Sequence, residues 1–233
     1  MPSFSGDDAV ALTREGFVAR ARTLVENPGR TMLGIVGPPG SGKSTLTAAL
    51  TEALGDQVVV VPMDGFHLAN ERLIELGIRE RKGAPDTFDV AGYVALLRRI
   101  RDREELVYAP RFDREIEQSI GSAQPVVAAT PLVVTEGNYL LSDTDGWPAV
   151  RDLLDEVWYV DVSLDEVRRR LEGRRIGHGH SPEAARSWVA TVDVPNAQTV
   201  MTTRDRADLV FRVSDAPSAL AQQSQRQPKD LDR

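Results

Sequence analysis

The 233-residue sequence contains no cysteine. Disulfides, thiolate metal sites and a thiol nucleophile are therefore excluded. Lysine is nearly missing as well: of 28 basic residues only Lys43, Lys82 and Lys229 are lysines. Histidine occurs three times, at 67, 178 and 180, and aromatic residues make up 6% of the chain. There is no excess of positive charge, because the formal net charge is −7. Such a balance supplies no basic field for nucleic acid or an anionic membrane, and neither is expected as a partner. No apolar run approaches the roughly 18 residues of a membrane-spanning helix. The opening MPSFSGDD lacks a basic stretch followed by an apolar one, so the expected location is the cytoplasm.

What is present is a chain of ordinary apolar content, 41%, long enough to bury one substantial α/β core. Residues 7–26 carry apolar positions at helical spacing and predict an amphipathic helix, broken at Asn27-Pro28-Gly29. Short β-branched runs at 31–36, 57–62, 131–135, 156–162 and 208–213 read as strands, and helical stretches fall between most of them. Segment 107–128 reads as irregular or a hairpin, Ser163-x-x-Glu166 as a capping box opening a helix, and Pro182 to about Thr191 as a further helix. Alternation of this kind predicts a mainly parallel five-stranded sheet in a three-layer α/β sandwich.

The strongest local signal is Gly37-Pro38-Pro39-Gly40-Ser41-Gly42-Lys43-Ser44, a full match to G-x-x-x-x-G-K-[ST] between a buried-type strand and a helix. Glycines there let successive backbone N–H groups turn inward around phosphate oxygens, and the helix N-terminus adds a favourable dipole. Lys43 is positioned to serve the β- and γ-phosphates, and Ser44 supplies a hard oxygen for Mg²⁺, with Thr45 following at the helix start. ATP and Mg²⁺ are the implied cofactors. GTPase switches carry Asn/Thr-Lys-x-Asp, and none of the three lysines stands in such an element. Two carboxylates fall at strand ends, where open α/β sheets place their chemistry: Asp64 after the second run and Glu136 after the third. Asp64 is the candidate base for an attacking hydroxyl, and Glu136 the candidate Mg²⁺-supporting acid. Helix capping is the competing reading for either.

GPPGSGKST, MDGFH, RKGAPDTFD, VYAPRFDR, VVTEGNYLL and RRRLEGRR occur in this order over residues 31–213. In this the chain resembles the phosphoribulokinase/uridine kinase family of P-loop kinases, nearest to its pantothenate kinase-like and sugar-transport (fructose) branch. The resemblance implies a P-loop NTPase fold with a small helical lid over about 168–190, and residues 1–214 are read as one such domain. The stretch 215–233 is polar and Gln-rich with little to pack, and is expected to be poorly ordered. The resemblance also implies that Arg170, Arg174 and Arg175 close over the phosphates, with Arg174 catalytic beside Lys43, Asp64 and Glu136, and that Asn196 lies near the base. Phe66, His67, Lys82, Phe88, Arg111, Asp113, Arg114, Asn138 and Tyr139 sit in acceptor-side motifs and are expected at the substrate. A family-like homodimer is compatible with the chain, although no sequence feature demands one. The GHGH stretch at 177–180 reads as lid rather than metal site. The expected activity is ATP-dependent transfer of a phosphoryl group to a hydroxyl of a sugar, nucleoside or pantothenate-like alcohol. The alternatives are a nucleoside monophosphate kinase, with Arg81/Lys82 and Arg111/Arg114 holding the acceptor phosphate, and a non-catalytic nucleotide-binding regulator.

Overall fold

A computed structural model describes residues 9–214, so the expected tail from 215 lies outside the described residues. The elements are β1 (Val10–Leu12), α1 (Arg14–Val25), β2 (Thr31–Val36), α2 (Lys43–Leu54), β3 (Val58–Pro62), α3 (Asn70–Glu75) and α4 (Val90–Arg101). They continue with β4 (Leu106–Asp113), β5 (Gln118–Val127), β6 (Leu132–Gly137), α5 (Pro148–Arg151), β7 (Glu156–Val160), α6 (Leu164–Gly177), α7 (Pro182–Trp188), α8 (Val194–Met201) and β8 (Leu209–Val213). Six strands form one parallel sheet in the order β1-β8-β7-β2-β6-β3.

The sheet thus has six strands rather than the expected five, and the extra one corrects the reading of residues 7–26 as a single helix. Val10, Ala11 and Leu12 pair with Phe211, Arg212 and Val213. The helix starts only after Thr13, whose hydroxyl accepts a hydrogen bond from the Gly16 N–H at 3.0 Å. That cap satisfies a backbone donor at the first turn, while the backbone just before it is extended. A second departure follows α7. Residues 189–193 widen into a π turn before α8, because Pro195 has no N–H to offer the carbonyl four residues back.

The two faces of the sheet bury separate apolar sets. Phe17 and Ala21 of α1 and Leu46 and Leu50 of α2 cover Leu33, Ile35, Trp158 and Phe211. On the other face Tyr93 and Leu97 of α4, Trp147, and Val107 and Val126 of the β4–β5 hairpin cover Val36, Val61 and Val133. The segment expected to be irregular or hairpin-like is a two-stranded antiparallel ribbon whose register slips between Ala109 and Arg111. Pro110, which cannot donate to the ladder, sits at the slip. Gln124 of this ribbon donates to the Val60 carbonyl on the sheet's β3 edge. A third cluster, Val167, Leu171, Val189, Val194 and Ala197, binds α6 to the π turn and α8.

What the sheet decides about function is an address. β6 and β7 pair with β2 from opposite sides, so the connection leaving β2 runs toward β3 while that leaving β6 runs the other way, to β7. A crevice opens above such a switch point, at the carboxyl ends of the strands. Asp64 follows β3, Glu136 ends β6 and the glycine-rich loop follows β2, so all three arrive at that crevice.

Candidate active site

The crevice is a cleft of about 790 Å³, within the range of about 300–1,000 Å³ usual for small-molecule sites. It is lined by Pro39 to Leu46, Asp64, Arg114, Glu136 to Asn138, Arg170, Leu171, Arg174, Thr13 to Glu15, Val213 and Ser214.

The loop before α2 has the form of an anion cradle. Gly40 and Gly42 hold φ of +76° and +98°, in the left-handed region that favours glycine. At Gly37 an added Cβ would lie 2.8 Å from Ser41 Oγ and 2.9 Å from the Val160 carbonyl oxygen, so a side chain is excluded. Ser41 Oγ is buried with no hydrogen-bond partner among the described residues, a donor awaiting an acceptor. These features fit a polyphosphate. Lys43 is buried, and its ammonium donates to the carbonyls of Gly37 (2.8 Å) and Pro38 (3.0 Å) and to Asn138 Oδ1 (2.8 Å). All three of its protons are used, yet none goes directly to a carboxylate. Burial consequently lowers its pKa from the usual lysine range to about 8, with Glu136 and Asp64 opposing the shift at longer range.

Glu136 ends β6 at the register position paired with Ile35 on one side and Pro62 on the other. The exposed Ser44 hydroxyl bridges its two carboxylate oxygens at 2.9 and 3.2 Å. Burial raises the Glu136 pKa, and Lys43 and the Ser44 hydrogen bond oppose that. A pair of hard oxygens beside a phosphate cradle fits Mg²⁺, which takes few protein ligands and completes its shell with phosphate and water. Among the described residues no group of three His, Asp or Glu forms a separate metal cluster, and His178 Nδ1 lies against the Arg174 carbonyl at 2.6 Å.

Asp64 is held by its backbone and left accessible by its side chain. Its carbonyl lies 2.8 Å from His67 Nδ1, which must carry the proton because a carbonyl can only accept. Burial depresses the His67 pKa, consistent with a neutral ring. That ring lies between Phe88, at 4.1 Å, and Phe112, at 4.8 Å. Asp64 Oδ2 meets Arg114 Nη2 at 3.3 Å on the cleft side. The turn is tight: a Cβ on Gly65 would stand 2.7 Å from the Pro110 carbonyl oxygen and 3.0 Å from its carbon. Backbone atoms yield little, so Gly65→Ala is expected to cost about 1–3 kcal/mol of stability. Denaturant titration checks this, and turnover should fall further than stability explains, since the neighbouring carboxylate is displaced.

The arginines divide. Arg170 pairs with Glu166 at 2.6 Å and donates to the Gly40 and Ser41 carbonyls at 3.1 and 3.3 Å, pinning α6 on the phosphate loop. Arg174 lines the cleft, and its side chain has no hydrogen-bond or ion-pair partner among the described residues. Desolvation and the neighbouring Arg114 guanidinium lower its pKa. Arg175 does not line the cleft. It pairs with Asp193 at 3.3 Å and lies over the Trp188 ring at 4.7 Å.

Several acceptor-side candidates lie behind the wall rather than on it. Phe66, Phe88 and Tyr139 are core residues in tilted or edge-to-face contact with Tyr93 and Trp147, and the Tyr139 hydroxyl donates to the Gly83 carbonyl at 2.6 Å. Lys82 braces the β4–β5 turn, donating to Asn70 Oδ1 at 2.7 Å and to the Glu117 carbonyl. Arg111 pairs with Asp113, which also accepts from the backbone of Glu115 and Ile116. Asn196, half-buried on α8, does not line the cleft. Conversely, Thr13, Arg14, Glu15, Val213 and Ser214 line it without having been singled out in the sequence. The β-branched start of Val10-Ala11-Leu12 ahead of a Thr cap was the available signal.

The sequence model of the Phosphoribulokinase / Uridine kinase family matches residues 32–218. The uncharacterized Escherichia coli protein YggC is 34% identical over 192 residues, 80% of this chain and 79% of its own. A Schizosaccharomyces pombe protein provisionally named a uridine kinase is 36% identical over 69% of this chain and 72% of its own. The crystal structure of a Silicibacter protein, provisionally named a fructose transport system kinase, superposes with a TM-score of 0.76 at 37% identity. It covers 84% of this chain and 98% of that one.

Proposed function

The chain belongs to the phosphoribulokinase/uridine kinase family, and from that premise we propose that it transfers the γ-phosphoryl group of ATP to a hydroxyl of a small metabolite, with Asp64 as base. As a family member it is a P-loop kinase acting on small molecules with an alcohol acceptor. The observation that carries the finer reading is the meeting, in one cleft, of the Lys43 cradle, the Ser44–Glu136 oxygen pair and the accessible Asp64 carboxylate.

In this reading Asp64 takes the proton of the acceptor hydroxyl as its oxygen bonds to the γ-phosphorus. The bond to the β–γ bridging oxygen breaks, and ADP leaves. Lys43 follows the β- and γ-oxygens. Arg174, unpaired in the cleft, meets the charge that develops on the transferred group. Arg170 holds α6 and α7 as a lid against the loop carbonyls, and Arg175 ties the far end of α6 to the π turn through Asp193. Ser44 and Glu136 would hold Mg²⁺, which when bound supplies charge neutralisation at the β- and γ-oxygens. Arg114, now on Asp64, must yield that carboxylate to the hydroxyl, and an acceptor that engages the guanidinium would do so.

Proteins similar to this chain are named for uridine, pantothenate and fructose, so the acceptor class proposed is a neutral or weakly acidic alcohol of that size. A monophosphate acceptor is less well supported: of Arg81, Lys82, Arg111 and Arg114 only Arg114 lines the cleft. No helix among the described residues is long and apolar enough to cross a membrane, and we place the enzyme in the cytoplasm, acting on small molecules.

An ADP-release screen over hexoses, pentoses, nucleosides, nucleoside monophosphates and pantothenate tests the proposal. Stimulation by an unphosphorylated alcohol is expected. Stimulation by monophosphates alone would overturn it in favour of a monophosphate kinase, and absence of acceptor-dependent turnover in favour of a regulator.

A further inference from the structure

The cleft is longer than phosphoryl transfer requires. From β2, where the phosphate loop begins, two interstrand spacings lead through β6 to β3 and Asp64. In the opposite direction three spacings, about 14 Å, lead through β7 and β8 to β1. The γ-phosphate and acceptor occupy the Asp64 side. The α-phosphate, ribose and base must therefore leave the loop toward β8 and β1.

The residues at that end differ in kind from those at the loop. Leu12 and Val213 are register partners, and the Ser214 N–H donates to the Leu12 carbonyl at 2.9 Å, so the β1–α1 junction is locked beside the end of β8. This brings Arg14 and Glu15 to the cleft rim, both exposed. The Arg14 side chain has no hydrogen-bond or ion-pair partner among the described residues, although its charge acts on the neighbouring Glu15. The Glu15 carboxyl is held below the usual range by its own backbone N–H and the Thr13 hydroxyl, which keeps it ionised and able only to accept. A carboxylate repels phosphate, but it suits donors such as ribose hydroxyls or an exocyclic amine. Val213, a large apolar side chain left 46% exposed, offers a face for a flat ring, and a guanidinium stacks on such a ring from the other side.

We propose that the β1–α1 junction forms the nucleoside end of the ATP site, with Glu15 accepting from the ribose or base and Arg14 and Val213 flanking the base. Thr13 to Glu15 precede residue 32, where the family match begins, so these three residues are not part of what the family model describes, whereas Val213 lies within the match. The proposal rests on the P-loop reading above, and its test separates the two.

Calorimetric titration with Mg·ATP and with Mg·tripolyphosphate, which has no nucleoside, provides that test. In the wild type ATP should bind more tightly than tripolyphosphate. The double variant Arg14→Ala/Glu15→Ala should lose about tenfold in ATP affinity, the equivalent of one charged contact, and keep tripolyphosphate affinity unchanged. Equal wild-type affinities, or an unchanged ATP affinity in the variant, would overturn the proposal and leave the P-loop reading standing. Parallel loss of both ligands in the variant would overturn it as a general effect on the fold. Failure of the wild type to bind either would sink the P-loop reading and this one with it.

Discussion

Replacing Asp64 by Asn is expected to cut acceptor-dependent ADP release by about 10²–10⁴-fold, the usual contribution of a positioned general base, while ATP still binds. The amide is isosteric, so the turn survives. The backbone carbonyl that receives the His67 Nδ1–H is untouched, and Gly65 keeps its approach to Pro110. What disappears is an acceptor for the hydroxyl proton and the charge that pairs with Arg114 at 3.3 Å. Losing a negative group from a cleft that must take a polyphosphate should, if anything, tighten nucleotide binding. Steady-state kinetics with the acceptor found by the screen, together with calorimetry for ATP, separates the outcomes. Full turnover in the variant would remove Asp64 from the chemistry. Loss of ATP binding together with turnover would make it a structural residue.

The second large effect concerns Lys43. Lys43→Met should weaken ATP binding by 100-fold or more, as expected when two charge-assisted hydrogen bonds of about 1.5–3 kcal/mol each are lost. The ligand-free protein should tolerate the change better than ligand binding does. The ammonium is buried without a contacting carboxylate, so its removal leaves no hydrogen-bonded charge unpaired.

The proton linkage gives a sharper signature. With a folded pKa of about 8 and an ordinary unfolded value near 10.5, the unfolded chain binds the extra proton across that window. Lys43 therefore makes wild-type stability rise with pH between about 8 and 10.5, a contribution that the Met variant lacks. Phosphates arriving beside Lys43 restore its proton. ATP binding above about pH 8 should accordingly take up a proton, and affinity should fall as pH rises further. Calorimetry in two buffers of different ionisation enthalpy measures the uptake, and its absence would mean that the ammonium is not at the phosphates.

How much of this was legible follows from how local each feature is. The phosphate loop is one contiguous octapeptide whose conformation is set by its own glycines, so residue order alone identifies it. Asp64 and Glu136 were legible because each ends an apolar run, and a parallel sheet gathers such ends on one edge. The arginine series was legible as a group but not individually. Arg174 and Arg175 are adjacent on one helix, roughly 100° apart, and sequence does not set the phase. Packing against the π turn decides it, sending Arg175 to Asp193 and leaving Arg174 in the cleft.

The aromatic candidates show the same limit from the other side. Phe66, Phe88 and Tyr139 lie in motifs expected around the acceptor, yet the hairpin and α4 close over them and make them core. β1 was the least legible element. Three residues with an exposed, exposed, half-buried pattern cannot be told from the start of an amphipathic helix. Its partner β8 lies about two hundred residues away, and pairing between them is a non-local event that no window around Val10 contains. Residue order by itself determined that this chain folds as a parallel α/β sheet with a nucleotide loop and two strand-end acids. The tertiary structure alone decided which arginine lines the cleft, which aromatics are buried and which segment walls the far end of the cleft. Those depend on contacts between elements, whereas the loop and the strand ends are written in consecutive residues.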